Sequence, residues 1–288
     1  MARKDIKPYR RRTADLKTIL HWGQLKLMLA EIDFLTPFAG SGAVVIYAGA
    51  APGVHTLYLS KLFPSLTFHL YDPTPFSIKP TARVKIHVQL FLAKTAVRVA
   101  KCYRKLYPKK KLLFISDIRR RPPTEQIVEG DMVMQRKWVE LMRPDCWMLK
   151  FRLPWTNHSK YKYLKGTITA QAFVGAASTE TRLIGTTTDI ITYDPKVYEN
   201  LMYTHNLTRS NYHVSPLGTT TLESHDVCNC FDCVSFVRII QAYLKAMGRN
   251  AGKVEIIKCL NGVRSACGTG TILSRSRKYW RKLAKIRA

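Results

Sequence analysis

Five consecutive apolar residues, Val44-Val45-Ile46-Tyr47-Ala48, run directly into Gly49-Ala50-Ala51-Pro52-Gly53 and then into a helical stretch. A strand with one wet face alternates apolar and polar residues, because successive side chains leave opposite faces. This one does not alternate, so both its faces must be covered, the condition of an inner strand in a parallel sheet with helices on each side. The chain then repeats the unit. Residues 54–63 read as a helix and 67–71 as a strand ending at Asp72. Residues 84–88 read as a strand, followed by a helix to about Tyr103. Residues 112–115 form an apolar strand ending in Ser116-Asp117, 125–142 a helix and 146–152 a strand. Helical spacing also marks 15–35 and 236–247. Strands separated by helices require right-handed crossovers. The expected class is α/β, a mainly parallel sheet flanked by helices on both faces. The expected layout is a basic arm (1–14), one domain (15–273) and a basic tail (274–288).

Ligands of such sheets bind beyond the carboxyl ends of the strands. Gly49 allows a sharp turn and a close approach to the backbone. Pro52 suits a first helical turn, where no N–H is needed. Asp72 ends the next strand 23 residues after Gly49, where a carboxylate accepts from ribose hydroxyls. A nicotinamide dinucleotide calls for G-x-G-x-x-G; this turn lacks one of those glycines and carries a proline. S-adenosylmethionine, which has no phosphate, fits the turn. The plain alternative is an ordinary Gly-Pro connection between strand and helix.

Charge narrows the partners. Lys and Arg total 47 against 19 Asp and Glu, a net +28, where solubility needs a magnitude of only about 2–8. That excess favours a polyanion, either nucleic acid or an anionic membrane. It concentrates in Arg3, Lys4, Lys7 and Arg10 to Arg12; in Lys101, Arg104, Lys105 and Lys109 to Lys111; in Arg119 to Arg121; and in the tail from Arg275, where Tyr279 and Trp280 offer rings for bases. The longest uncharged stretch, 34–60, is broken by Pro37, Gly40, Gly42, Gly49, Pro52 and Gly53. A membrane span needs about 20 uninterrupted apolar residues, so none is expected. No apolar run follows the basic N-terminus, so no cleaved signal is expected either. Seven cysteines, an odd count, then point to reduced thiols in a cytosolic compartment. His225, Cys228, Cys230 and Cys233 supply four N/S ligands of the kind zinc takes. The spacing is unlike a paired C-x2-C signature and helix-like sequence follows at once, so they read instead as small buried residues at a helix start, with Asp226 or Asn229 capping, and no metal is expected.

Three charged residues interrupt apolar elements. Asp117 ends a strand, Lys150 lies inside Trp147-Met148-Leu149-Lys150-Phe151-Arg152, and Lys26 sits in the apolar stripe of the first helix. A lysine in such a strand is costly unless paired or at the strand end. Taken singly, Asp117 reads as a helix cap, Lys26 as a snorkelling stem and Lys150 as an edge residue. Together with their surroundings they form an ordered set: Gly23-Gln24-Leu25-Lys26-Leu27, Tyr47 to Gly53, Ile115-Ser116-Asp117-Ile118-Arg119, Leu149-Lys150-Phe151-Arg152 with Pro154, Glu180-Thr181-Arg182-Leu183, and Tyr198-Glu199.

That set, spanning roughly 23–247, resembles the poxvirus-type cap-specific mRNA (nucleoside-2′-O-)-methyltransferases, which double as poly(A) polymerase small subunits, within the wider FtsJ-like methyltransferases. The resemblance implies a Rossmann-like class I methyltransferase of a large DNA virus, working in the host cytoplasm or the virion, with S-adenosylmethionine as cofactor. It implies a catalytic tetrad of Lys26, Asp117, Lys150 and Glu180. It implies a cofactor shell of Gln24, Tyr47, Gly49, Gly53, Asp72, Val88, Asp117 and Arg119, and a capped mRNA substrate met by Tyr9, Arg152, Trp155, Asn157, Arg182 and Glu199. Three positions depart from the family pattern: Thr74 replaces an arginine, Asn157 an acid and Ala177 an aromatic. A poly(A) polymerase catalytic subunit is the implied protein partner. A lysine is ordinarily protonated at neutral pH, and neighbouring cations and partial burial make such an amine a better base. On this reading Lys150 takes or orients the ribose 2′-proton, Asp117 and Glu180 position it, and Lys26 tunes the field. Two other functions remain open: an RNA-binding processivity subunit for the polymerase, and a 2′-O-methyltransferase of uncapped structured RNA. Lining for the cap, at Trp155 and Glu199, discriminates the last from the first.

Overall fold

The computed structural model describes residues 6–10, 23–155, 160–175, 178–209, 227 and 230–269. They divide into two compact units, one made of 37–170 and 180–198, the other of residues up to 36, 171–179 and 199 onward.

The first unit is the sheet. β1 (Val44–Ala48) lies between β2 (Thr67–Asp72) and β4 (Leu112–Ser116), with β3 (Val84–Val88) at one edge. Beyond β4 come β5 (Cys146–Phe151), β8 (Thr181–Gly185) and the edge strand β7 (Thr167–Thr169). β1 through β5 pair in parallel, whereas β8 runs antiparallel to β5 and to β7. A separate two-stranded ribbon joins β6 (Tyr161–Leu164) to β9 (Ile190–Tyr193). Every residue of β1, β4 and β5 is buried, as the lack of apolar–polar alternation in these strands requires, Lys150 of β5 included. β3 is mostly wet, as an edge permits.

Three helices make the crossovers: α2 (Thr56–Leu62), α3 (Ala93–Leu106) and α4 (Glu125–Met142). α2 carries the chain outward from β1 to β2. α3 and α4, packed against each other, carry it back through β4 to β5. Right-handed crossovers running in opposite directions put α2 on one face and α3 with α4 on the other. The direction reverses between the adjacent strands β1 and β4, so the carboxyl ends of these two strands open the crevice where such sheets hold ligands.

In the second unit, α1 (Gly23–Leu35), α6 (Phe231–Ala246) and α7 (Lys253–Ala266) pack together. The helix expected over 15–35 is described from Gly23 on. α7 lies beyond the last element read from the sequence pattern, which ended at about Met247. α5 (Pro195–Arg209) ends on Arg209, whose buried guanidinium grips Asp232 at 2.9 and 3.1 Å and the Val174 carbonyl at 2.7 Å. Among the described residues no helix is long and apolar enough to cross a membrane.

Candidate active site

The turn after β1 is built by contacts only glycine allows. Gly49 has φ +82°, and a Cβ there would fall 2.9 Å from the Ile118 nitrogen and 3.0 Å from the Asp117 carbonyl carbon. The backbone is locked on both sides: the Gly49 N–H donates to the Tyr71 carbonyl at 2.9 Å, and the Asp117 N–H to the Ala48 carbonyl at 3.0 Å. The ends of β1, β2 and β4 thus meet at the crevice. Gly53, at φ +73°, lies against Phe76 and Ile78.

Asp72 completes the turn. One carboxylate oxygen accepts from Ala51 N at 3.2 Å and the other from Thr74 N at 2.8 Å. Each oxygen has capacity for a second donor, and the residue is half-exposed. The donor set therefore fits a ribose-bearing cofactor. Thr74, where the family pattern has arginine, contributes its backbone N–H to holding Asp72. Val88 is exposed at the end of β3, the strand beside Asp72, and Tyr47 is buried in β1. Arg119 lies 3.5 Å from the buried Asp131, which Arg120 also engages at 2.6 Å. Gln24 is exposed and Lys26 buried, both on α1 in the other unit.

On the other side of the switch point, four charged side chains converge. Lys150 Nζ lies 3.2 Å from Asp117 Oδ1 and 3.7 Å from Glu180 Oε2. The antiparallel register of β5 and β8 sets Arg182 opposite Lys150, and Arg182 Nη1 lies 2.6 Å from the same Asp117 oxygen, with Nη2 3.9 Å from Glu180 Oε1. Two carboxylates are therefore shared by two cations. Exposure falls from Glu180 (20%) and Asp117 (17%) through Lys150 (11%) to Arg182 (1%). Burial alone would lower the Arg182 pKa; the charges of Asp117 and Glu180 more than offset it, so the value is raised and the guanidinium stays charged. Gln135 of α4, itself buried, donates to the Lys150 carbonyl at 3.1 Å.

The resemblance assigns Arg182 to RNA. At 1% exposure and tied to both carboxylates, it is placed within the cluster. Its signal in the sequence was an arginine inside the apolar run Thr181-Arg182-Leu183-Ile184, a placement that demands ion partners.

The residues expected to meet a cap fall into two groups. In the sheet unit, Glu125, in the first turn of α4, accepts from Arg152 at 2.6 Å and from the Trp155 N–H at 3.0 Å, and the Arg152 guanidinium lies 5.8 Å from the Trp155 ring centre. Glu125 has no place in the residue set of the resemblance; its signal was an acid following Thr124 at a helix start. In the other unit, the Tyr9 N–H donates to Asn200 at 2.8 Å and the Tyr9 ring lies edge-on to Tyr203, 5.6 Å between centres. Tyr9 is thereby tethered beside Glu199. Asn157 lies outside the described residues, as do His225, Cys228, Ala177 and the tail. Cys230 stands at the N-cap of α6 and Cys233 is buried within it. Among the described residues no group of His, Cys, Asp and Glu is arranged to hold a metal ion, and the six described cysteines are free thiols.

A parallel sheet reversing direction at β1 and β4, an acid ending β2 and an antiparallel strand beyond β5 define a Rossmann-like α/β unit of the class I methyltransferase type. The particular family follows from sequence comparison. The family model for poly(A) polymerase regulatory subunits matches residues 4–233, and the chain belongs to that family. It is 29% identical over 213 residues to the cap-specific mRNA (nucleoside-2′-O-)-methyltransferase of Myxoma virus (strain Lausanne), covering 65% of this chain and 61% of that protein. The fowlpox virus (strain NVSL) protein of the same name is 28% identical over 153 residues, 47% of each chain. The chain thus spans about three fifths, or less, of the relatives it matches. Bluetongue virus VP4, described as a multifunctional RNA-capping production line, superposes with a TM-score of 0.48 at 15% identity, over 68% of this chain and 33% of that one. A ribosomal RNA methyltransferase from Plasmodium falciparum gives 0.40 at 11% identity, over 58% and 98%. At such scores neither likeness bears on what this chain does.

Proposed function

We propose that this protein is a methyltransferase of the RNA ribose 2′-hydroxyl, acting on capped viral mRNA with S-adenosylmethionine as cofactor. The observation that carries the reading is Lys150, whose Nζ is held between Asp117 and Glu180 beside the crevice of the sheet. A ribose hydroxyl is a poor nucleophile at neutral pH and needs a positioned group to orient it and assist loss of its proton. Lys150 does this at Nζ. Asp117 and Glu180 fix the direction of Nζ, and Arg182 fixes the two carboxylates. S-adenosylmethionine supplies the activated methyl group when bound. Asp72 would take its ribose hydroxyls, and the glycine turn at Gly49 and Gly53 would let its chain lie against the backbone. Alignment of two reactants in one crevice is the protein's main contribution.

Capped substrate is supported by the names of the Myxoma and fowlpox relatives and by an acid and a ring within one unit, Glu199 and Tyr9. A methylated guanine is a cation, which rings and carboxylates recognise together. The family's description supports a second reading, an RNA-binding accessory subunit of a poly(A) polymerase. One assay separates them: labelled S-adenosylmethionine with capped and uncapped RNA of a single sequence. Labelling of the capped RNA alone is expected, with loss in Lys150→Ala. Equal labelling of both would overturn cap dependence. Tight binding without labelling would favour the accessory subunit, and full activity of Lys150→Ala would remove Lys150 from the chemistry.

A further inference from the structure

The largest basic group outside the active site has a shape. From Lys94 to Lys111 the chain carries eight cations and no acid. Four of them, Lys94, Arg98, Lys101 and Lys105, recur at spacings of four, three and four residues, which puts them on one face of α3, and all four are exposed. The eleven residue steps from Lys94 to Lys105 make that stripe about 16 Å long. As the crossover from β3 to β4, α3 leaves the carboxyl edge of the sheet, where Asp72 and Asp117 lie, and returns to the amino edge. There it ends at a cleft of about 80 Å³ floored by Val44 and Leu112, the first residues of β1 and β4.

The walls of this cleft include Tyr103, Arg104, Tyr107, Lys110, Lys111 and Asp145. Its frame is braced. Arg104 donates to the carbonyls of Met142 at 3.2 Å and Arg143 at 2.6 Å, and Asp145 accepts from Leu112 N at 2.7 Å. Tyr103 and Tyr107 stack with centres 5.8 Å apart, and Lys110 Nζ lies 4.9 Å from the Tyr107 ring centre. Tyr107 is 40% exposed, and Lys109, Lys110 and Lys111 are exposed. Small-molecule sites run to several hundred Å³. This cleft is too small for a nucleotide cofactor but has room for a phosphate group, several water volumes across.

We propose that the cleft and the α3 stripe form a second RNA contact, with the cleft taking a backbone phosphate of single-stranded RNA downstream of the reacting 5′ end. The inference rests on the reading that the substrate is RNA. Evenly spaced cations match the regular charge of a phosphodiester chain, and an exposed tyrosine among them suits a base. The stripe begins at the edge of the sheet that bears the proposed active site and leads away from it, so a short RNA engages only the active site and a longer one reaches the cleft.

The test uses the full chain and the triple variant Lys109→Ala, Lys110→Ala, Lys111→Ala, whose side chains are exposed, with a thermal melt as a folding control. Binding is measured on RNAs of about 5 and about 20 nucleotides, bracketing the roughly 4–16 nucleotides that single-strand sites cover. For the long RNA, removing three phosphate contacts lowers the slope of log K against log salt by about 2, so the variant loses roughly fifteen-fold less affinity than the wild type between about 50 and 200 mM salt. Short capped RNA is bound and methylated equally by both proteins. An unchanged long-RNA slope overturns the proposal, including the case in which the patch docks an acidic protein instead. Absence of methylation by the wild type, with the slope change intact, overturns the enzymatic reading and leaves this contact standing.

Discussion

Replacing Arg182 with methionine tests the logic of the active site directly. Asp117 Oδ1 receives Arg182 at 2.6 Å and Lys150 at 3.2 Å, while Glu180 lies 3.9 Å from Arg182 and 3.7 Å from Lys150. At an effective dielectric of about 20, a pair 2.6 Å apart attracts by about 6 kcal/mol and one 3.9 Å apart by about 4 kcal/mol. Desolvating the guanidinium cancels much of this, and removing one partner of such a buried pair costs about 3–5 kcal/mol. At about 2–4 °C per kcal/mol for a chain of this size, the melting temperature falls by roughly 6–20 °C. The sign with pH follows from the raised Arg182 pKa. A cation whose folded pKa exceeds its unfolded value contributes fully below the unfolded value and loses its contribution only above it. The deficit of the variant is therefore flat from pH 6 to 9. It also survives 1 M salt, because buried pairs are poorly screened. Arg182→Lys recovers only part of the loss, since one ammonium cannot reach two carboxylates as a planar fork does. Denaturant and thermal unfolding of the three proteins over that pH range is the assay. A variant that melts like the wild type, or a deficit that vanishes in salt, would refute the claim that Arg182 holds the carboxylates.

Gly49→Ala puts a Cβ 2.9 Å from the Ile118 nitrogen at a φ of +82°; the left-handed conformation alone costs about 1–2 kcal/mol. A thermal melt should fall by several degrees together with cofactor affinity, and a wild-type melt would show that the turn relaxes freely. Glu125→Gln removes the ion pair to Arg152 at 2.6 Å and should raise KM for capped RNA several-fold with kcat retained; an equal fall in kcat would place Arg152 and Trp155 nearer the chemistry. Burial, then His87 and Lys85, push His69 down from 6.5 to about 4. Between those values the unfolded chain holds the extra proton, so this contribution is intact above pH 6.5 and lost as pH falls towards 4. His69→Gln should flatten the acid limb of denaturant midpoints across that window, and an unaltered limb would exonerate His69.

What the sequence revealed follows the range of each interaction. β1, β4 and β5 were legible because an apolar strand with no alternation has one environment open to it, and the positions of Gly49, Asp72 and Asp117 because a glycine or an acid closes each strand. Arg182 was visible as a residue but not as a part of the cluster. Its role depends on the antiparallel register that sets it against Lys150, and register between strands 30 residues apart leaves no local trace. The ladder of Tyr103, His69, His87 and Tyr71 was missed for the same reason. His69 and His87, on paired strands, are 3.1 Å apart, and Tyr71 stacks on His87 with centres 4.2 Å apart, yet each histidine alone looks like an ordinary strand residue.

The net charge and the cluster obey different rules, and kinetics can separate them. The chain carries +28, but Lys150, Arg182, Asp117 and Glu180 sum to zero, and all are at least four fifths buried. The excess therefore lies outside the cluster, on surfaces such as the exposed α3 stripe, where salt screens it within about 10 Å at 0.1 M. Association with RNA should weaken steeply as salt rises, each phosphate contact made contributing about 0.7 to the slope for a single strand. The chemical step, set by neutral buried pairs, should not. Steady-state methylation of a long capped RNA from about 50 to 200 mM salt is then expected to show kcat/KM falling by an order of magnitude or more, with kcat changing less than two-fold. If kcat fell in step with kcat/KM, the cluster would be open to solvent ions, and the burial argued for Arg182 and Lys150 would not describe the working enzyme.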